Sequence, residues 1–217
     1  MAENPGARLL PWPVLRRCAR GGARAAGYGR GVEAVTLRTE RLELSMPVAS
    51  DIDAITEAAQ DPEVPRWTTL PSPYARSHAE DFVARAAKWW DEETELTWGI
   101  RVGGSWVGMI GLHRVSSAGD AEIGFWMAKD ARGHGYLTEA AAAVIDYAFA
   151  EPLSLSRIQW RAVVGNVPSA RAARSLGFRF EGTLRQALVD PRGRHDGWVA
   201  GLLPGDDRTP RSWPILG

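Results

Sequence analysis

A single cysteine, Cys18, stands among the 217 residues, which excludes an intrachain disulfide framework and any multi-cysteine zinc site. Neither charge is in excess. The 26 Lys and Arg residues balance 26 Asp and Glu, so no overall field draws the chain to nucleic acid or to an anionic membrane, and neither is expected as a partner. Lysine is almost missing, with only Lys88 and Lys129 present, and arginine carries the remaining positive charge. No apolar run approaches the roughly 20 residues that a bilayer crossing needs, and "LLPWPVL" is short and proline-broken for a secretory core. A reducing cytoplasm is the expected location. Also missing are a Walker A loop, a dinucleotide GxGxxG fingerprint and a nucleophile elbow. His113, His134 and His195 form no ligand-spaced cluster, so no metal is expected and they read as scattered surface histidines.

With 45% hydrophobic residues, the chain can bury a substantial core in one domain. Residues 1 to 34 are rich in Arg, Gly and Ala without a lasting amphipathic period, and read as a flexible basic extension. Residues 35 to 205 read as the folded domain, with a tail at 206 to 217. Leu42, Leu44 and Met46 alternate as a strand. "SDID" (Ser50 to Asp53) and "SHAE" (Ser77 to Glu80) predict two helix N-caps. Leu96 to Val102 and Val107 to Gly111 predict a hairpin about Gly103-Gly104, and Ala121 to Met127 a further strand. Asp130 to Phe149 predicts an Ala-rich helix. Ile158 to Val164 forms another strand, Asn166 to Gly177 a short helix, and residues 179 to 204 two strands about "DPRGR". The order β α α β β β α β α β β predicts a single mixed α/β domain.

"DARGHGYLTEAAAAVIDYAF" (Asp130 to Phe149) sets two glycines and a histidine directly before its helix. A helix start presents unpaired N–H groups and a partial positive charge, and glycine lets an anion approach them closely. An anion such as a pyrophosphate fits such a start, and ordinary loop chemistry, which also sets glycine before helices, is the plain alternative.

Two ordered motifs, "EIGFWMAKDARGHGYLTEA" and then "NVPSARAARSLGF", resemble the GNAT superfamily of acyl-CoA N-acyltransferases, in particular its RimJ/RimL-like branch. The likeness covers about Thr36 to Leu203 and includes the ending "HDGWVAGLLPGD". It implies a mostly antiparallel, V-splayed central sheet flanked by helices, with acetyl-CoA in the cleft between the strands at 121 to 127 and 158 to 164. The loop Arg132, Gly133, His134, Gly135, Tyr136 and Leu137 would hold the pyrophosphate, although Leu137 departs from the family's small residue there. The backbone of Trp126 and Met127 would pair with pantetheine and present an N–H to the thioester oxygen. Glu122 would help remove the proton of the incoming ammonium, directly or through water. Many relatives protonate the leaving thiolate with a tyrosine, whose position here is Ala173; Ser169 would take over that contact, with Asn166 holding pantetheine or a water. Asn166 at a loop start and Ser169 as a helix cap are the plain structural alternatives. Trp67 and Tyr74 would line the acceptor site.

The implied activity is acetyl transfer by direct attack of a primary amine, foremost a protein or peptide N-terminus. Acetylation of a small amine such as an antibiotic or polyamine, and a non-catalytic acyl-CoA-binding module, are the alternatives. A homodimer is left open.

Overall fold

The structure, a computed structural model, describes residues 34–217. The rest of the basic extension, Cys18 included, lies outside the described residues. Among those described, no helix is long and apolar enough to cross a membrane.

One eight-stranded sheet organises the domain, in the order β1-β2-β3-β4-β5-β6-β8-β7. Its strands are β1 (Leu37–Arg38), β2 (Leu42–Ser45), β3 (Leu96–Val102), β4 (Ser105–His113), β5 (Asp120–Met127), β6 (Arg157–Val163), β7 (Arg179–Asp190) and β8 (Gly193–Leu202). Every neighbouring pair is antiparallel except β5 with β6. That parallel step demands a crossover connection, which the helix α4 (Tyr136–Phe149) supplies. Helices α1 (Ile52–Ala58), α2 (Glu63–Trp67) and α3 (Arg76–Asp91) precede β3, and α5 (Val167–Ser175) follows β6.

The alanines of α4 are explained by what the helix covers. Ala140, Ala141, Val144, Ile145 and Ala148 are all inaccessible to solvent, in one cluster with Trp98, Ile100, Ile110, Leu112 and Ile123 of the sheet. Ala140, Ala141 and Ala148 let the helix axis approach the strands, and Val144 and Ile145 between them supply most of the buried area. Full burial of each of Val144 and Ile145 is worth about 1.5–3 kcal/mol. A second cluster on another part of the sheet joins Ile55, Ala59, Tyr74 and Ala79 to Trp106 and Trp126.

The helix starts differ from the sequence expectation. The first begins with a 3-10 turn at Ala49–Asp51, where the Asp51 carboxylate, not Ser50, accepts from the Val48 N–H at 2.8 Å. Arg101 Nη2 also donates to it at 2.5 Å, so this buried acid is paired. At α3, His78 Nδ1 accepts from the Ala75 N–H at 3.0 Å, and Ser77 lies inside the helix. In both places the N-cap residue, Val48 or Ala75, has no capping side chain of its own, and the third residue of the helix reaches back to its N–H instead. The five-residue α2 and the two-residue β1 are too short to show a period.

The C-terminal stretch joins the core. Trp213 is buried against the rings of Trp160 and Phe180, with centroids 5.5 Å from each, and its Nε1 donates to Phe178 O at 3.3 Å.

Candidate active site

The parallel ladder between β5 and β6 is short. Pairing runs from Asp120 opposite Arg157 to Ile123 opposite Trp160 and stops there. Beyond it, Gly124–Met127 stay bonded to β4, while Arg161–Val163 stay bonded to β8. The strands part into a fork whose vertex is the Ile123–Trp160 pair. Ala128 N–H donates to Val107 O at 2.9 Å. Main-chain groups alternate sides along a strand, so those of Trp126 also turn to β4, and those of Phe125 and Met127 face the fork. Sequence reasoning picked Trp126 and Met127 and missed Phe125, because a motif does not show which strand edge its N–H groups address. Trp126 instead contributes its ring, 5.4 Å from that of Trp106.

Past the fork, Arg132–Gly135 lead into α4. Gly135 is the N-cap at φ 79° and ψ 0°, and Gly133 has φ 80°. Both lie in the left-handed region that glycine enters without a steric cost. The first ladder bond is Glu139 N–H to Gly135 O at 3.1 Å, which leaves the N–H groups of Tyr136, Leu137 and Thr138 without helical partners. A Cβ at Gly133 would meet nothing within 4 Å, so the space before the helix is open to an anion. The His134 and Tyr136 rings stack at 5.4 Å.

Arg132 was expected to add charge at this loop. Its guanidinium instead turns back, donating to Met127 O at 3.0 and 3.2 Å and pairing with Asp61 at 2.7 Å. Burial works to raise the Asp61 carboxyl, but the Glu63 N–H and Arg132 outweigh it and hold the group below its ordinary value. The cation beside the helix start is Arg41, which sequence reasoning missed. It donates to His134 O at 3.1 Å and to Glu139 at 2.7 Å, and lies over the Tyr136 ring at 4.9 Å. Thr39 Oγ1 also donates to Glu139, at 2.5 Å. No local signal could have joined position 41 to a loop some ninety residues later.

Two sides of the vertex carry polar groups. Glu122 Oε2 accepts from Arg161 Nε at 3.0 Å and Nη2 at 2.5 Å, and from Arg114 Nη1. Burial pushes this carboxyl up, and Arg114 and His113 only partly offset the rise. His113 lies opposite Glu122 in the ladder and its Nδ1 is 3.2 Å from Glu95 Oε2. On the α5 side, Asn166 caps the helix, its Oδ1 accepting from the Ser169 N–H at 3.3 Å. Ser169 Oγ accepts from Trp160 Nε1 at 3.0 Å, at the vertex residue of β6. The indole fills the hydroxyl's acceptor role and leaves its O–H to donate elsewhere. Asn166→Ala should cost about 1 kcal/mol, the usual worth of an N-cap, read as a lower urea midpoint with an unchanged slope.

Trp67 lies against Gly165, where a built Cβ would be 3.7 Å from its Cη2, and Arg192 Nη2 donates to Arg66 O at 2.8 Å. Helix α2 therefore reaches across to the β6 side of the fork. Tyr74, expected beside Trp67, is only 7% exposed. It packs edge-on to His78 beneath the wall, since its ring fills the space between α1 and α3.

A forked parallel pair with a free strand edge, a glycine-cradled helix start and polar groups at the vertex together fit an acyltransferase. The chain belongs to the GNAT acetyltransferases: the Acetyltransferase (GNAT) domain matches residues 41–179. It is 31% identical to the N-acetyltransferase p20 of Bacillus licheniformis over 153 residues, 69% of this chain and 85% of that protein. YdaF of Bacillus subtilis (strain 168) is 40% identical over 99 residues, 45% of this chain and 54% of YdaF. The fold is similar to that of RimL, a ribosomal L7/L12 alpha-N-protein acetyltransferase solved with coenzyme A. That superposition has a TM-score of 0.70 at 18% identity, over 76% of this chain and 95% of RimL.

Proposed function

We propose that this N-acetyltransferase moves the acetyl group of acetyl-CoA onto the α-amine of a protein or peptide N-terminus by direct attack. The observation that carries the reading is the fork itself, with a donor edge on β5, an acid on one side of its vertex and a hydroxyl on the other. In RimL the same fold serves a protein α-amine.

The pyrophosphate would rest on the N–H groups at the start of α4, with Gly133, His134, Gly135, Tyr136 and Leu137 around it and Arg41 beside it. The Phe125 N–H is the fork-facing donor available to a thioester oxygen as charge builds on it. The amine lone pair attacks the carbonyl carbon, the C–S bond breaks, and Ser169 donates to the departing thiolate. A thiolate with a parent pKa of about 8.5 leaves without a strong acid, which accounts for Ala173 where relatives carry tyrosine. Asn166 acts through the Ser169 backbone as its cap. Glu122 supplies the negative charge that favours loss of the ammonium proton, since an α-amine has a pKa near 8 and must be neutral to attack. Trp67 walls the acceptor side.

Coenzyme release should be measured across N-terminal peptides, peptides whose only amine is a lysine side chain, polyamines and aminoglycosides. The expected result is a specificity constant for at least one N-terminal peptide tenfold or more above every other amine. Faster turnover of a polyamine or aminoglycoside would overturn the assignment of acceptor while leaving the transferase intact.

A further inference from the structure

Resting on the acetyl-transfer reading, we infer that His113 is a catalytic residue of this enzyme, its Nε2 accepting the proton of the attacking amine, with Glu95 as its positioning residue.

The ring lies flat on the sheet, and two glycines make that possible. A Cβ at Gly124 would sit 2.9 Å from both Cδ2 and Nε2 of His113, and one at Gly111 3.3 Å from Cε1. Any larger residue at position 124 would lift the ring away. The two positions are cross-strand partners, so they form one shallow trough beneath the imidazole. Gly124 is also the first residue of β5 beyond the last β5–β6 pair. The imidazole therefore lies over the vertex of the fork, where the strands begin to part.

The opposite ring nitrogen sets the tautomer. Glu95 can only accept from Nδ1, at 3.2 Å, so Nδ1 carries the hydrogen and Nε2 keeps its lone pair. No hydrogen bond reaches Nε2 from the described residues. A carboxylate–imidazole pair with an open nitrogen at the point of reaction is an oriented base. A histidine serving only to fill the surface needs neither the trough nor the carboxylate.

Adjacent residues of a strand point to opposite faces, so Gly124 lies on the face opposite to Ile123 and its partner Trp160. Ser169 is bonded to Trp160. The imidazole and the hydroxyl thus flank the vertex from the two faces of the sheet, one on the side of the incoming amine and the other on the side of the departing thiolate. The N–H proton passes to His113 Nε2 as the C–N bond forms, and the imidazolium then returns it to solvent. Glu95 lies on the Nδ1 side of the ring and Glu122 opposite it in the ladder, while Arg114, the residue after β4, and Arg161 are held on Glu122.

The test uses the full chain and the best peptide found in the acceptor survey. His113→Ala should lower kcat about 10²-fold or more, in the range for loss of a general base, while the acetyl-CoA dissociation constant stays within twofold. Added imidazole should restore at least a tenth of the lost rate, which no purely structural defect would allow. Glu95→Gln should lower kcat by less, about tenfold, and should not respond to imidazole. His113→Gln guards against misfolding. If it melts as the wild type does and also turns over as the wild type does, His113 is not the base and the inference falls. A His113→Ala protein that folds, binds acetyl-CoA and is not rescued at any imidazole concentration overturns it as well. Lack of turnover by the wild type on every amine would instead sink the acetyl-transfer reading beneath it.

Discussion

Replacing Glu122 by glutamine is expected to lower kcat by about 10²- to 10³-fold while the acetyl-CoA dissociation constant stays nearly unchanged. The carboxylate faces two guanidiniums, Arg114 and Arg161, so the local charge is about +1 with glutamate and about +2 with glutamine. A further unit charge some 4 Å away is worth about 4 kcal/mol at an effective dielectric of 20. Most of that penalty falls where the amine loses its proton and a positive charge appears on the protein. Donor affinity is spared because the loop that would take the pyrophosphate lies at the other end of the fork. Stability should drop as well, since Arg161 keeps an amide oxygen but loses its counter-charge. Rates must therefore be compared well below both melting transitions. Ser169→Ala should cost less, about tenfold, because the thiolate departs adequately unaided. A folded Glu122→Gln enzyme with wild-type kcat would reduce the carboxylate to a clamp between strands. The reverse order of the two effects would move the difficult step to the leaving group.

Gly135→Val should weaken acetyl-CoA binding at least tenfold. A Cβ at Gly135 would touch only Arg41 Nη2, at 3.5 Å, so the side chain itself fits. The backbone is the obstacle. A β-branched residue is poorly tolerated at φ 79°, and the strain, of order 1–3 kcal/mol, is relieved by turning the loop. Turning it re-aims the N–H groups that an anion would need and brings two methyl groups towards its oxygens. Gly135→Ala should fall between valine and the wild type. Calorimetric titration with acetyl-CoA gives the result directly, and an unchanged dissociation constant for the valine protein would remove the loop from the donor site.

Those two sites were open to sequence reasoning to different depths. The strands at 96–102, 107–111 and 121–127 and the helix at 136–149 stood out because their large apolar residues recur at a regular period, even where both faces are buried, as along Leu96–Ile100. The glycines at 133 and 135 stood out because a helix start seldom tolerates two of them without a reason. Capping was misplaced at Ser50 and Ser77, since Asp51 and His78, the third residues of their helices, reach back to the N-cap N–H instead. The phase of the β5 main chain could not be known until β4 was seen to claim Trp126, which is why Phe125 was overlooked. Arg41 reaches His134 and Glu139 across the fold, and His113 gains its meaning only from Glu95 before it and Gly124 after it. Such groupings are made by strand pairing, which a local window does not contain. Taken singly, His113 reads as one more surface histidine.

The fork also alters how this sheet behaves in a crowded solution. An unpaired strand edge ordinarily recruits a second chain and seeds aggregation. Here the free edge at Phe125 and Met127 is set inside the sheet, between β4-bound and β8-bound halves, with Arg132 fastened on the Met127 carbonyl. Flanked on both sides by paired strands, it is not presented at the rim of the sheet as an ordinary edge is, and a slender amide-bearing arm could share its hydrogen bonds. On the proposed reading, the same notch that keeps this edge away from the rim of the sheet would receive the thin acyl donor. Hydrogen exchange at the Phe125 amide should slow when acetyl-CoA is added, while amides already bonded to β4 keep their protection.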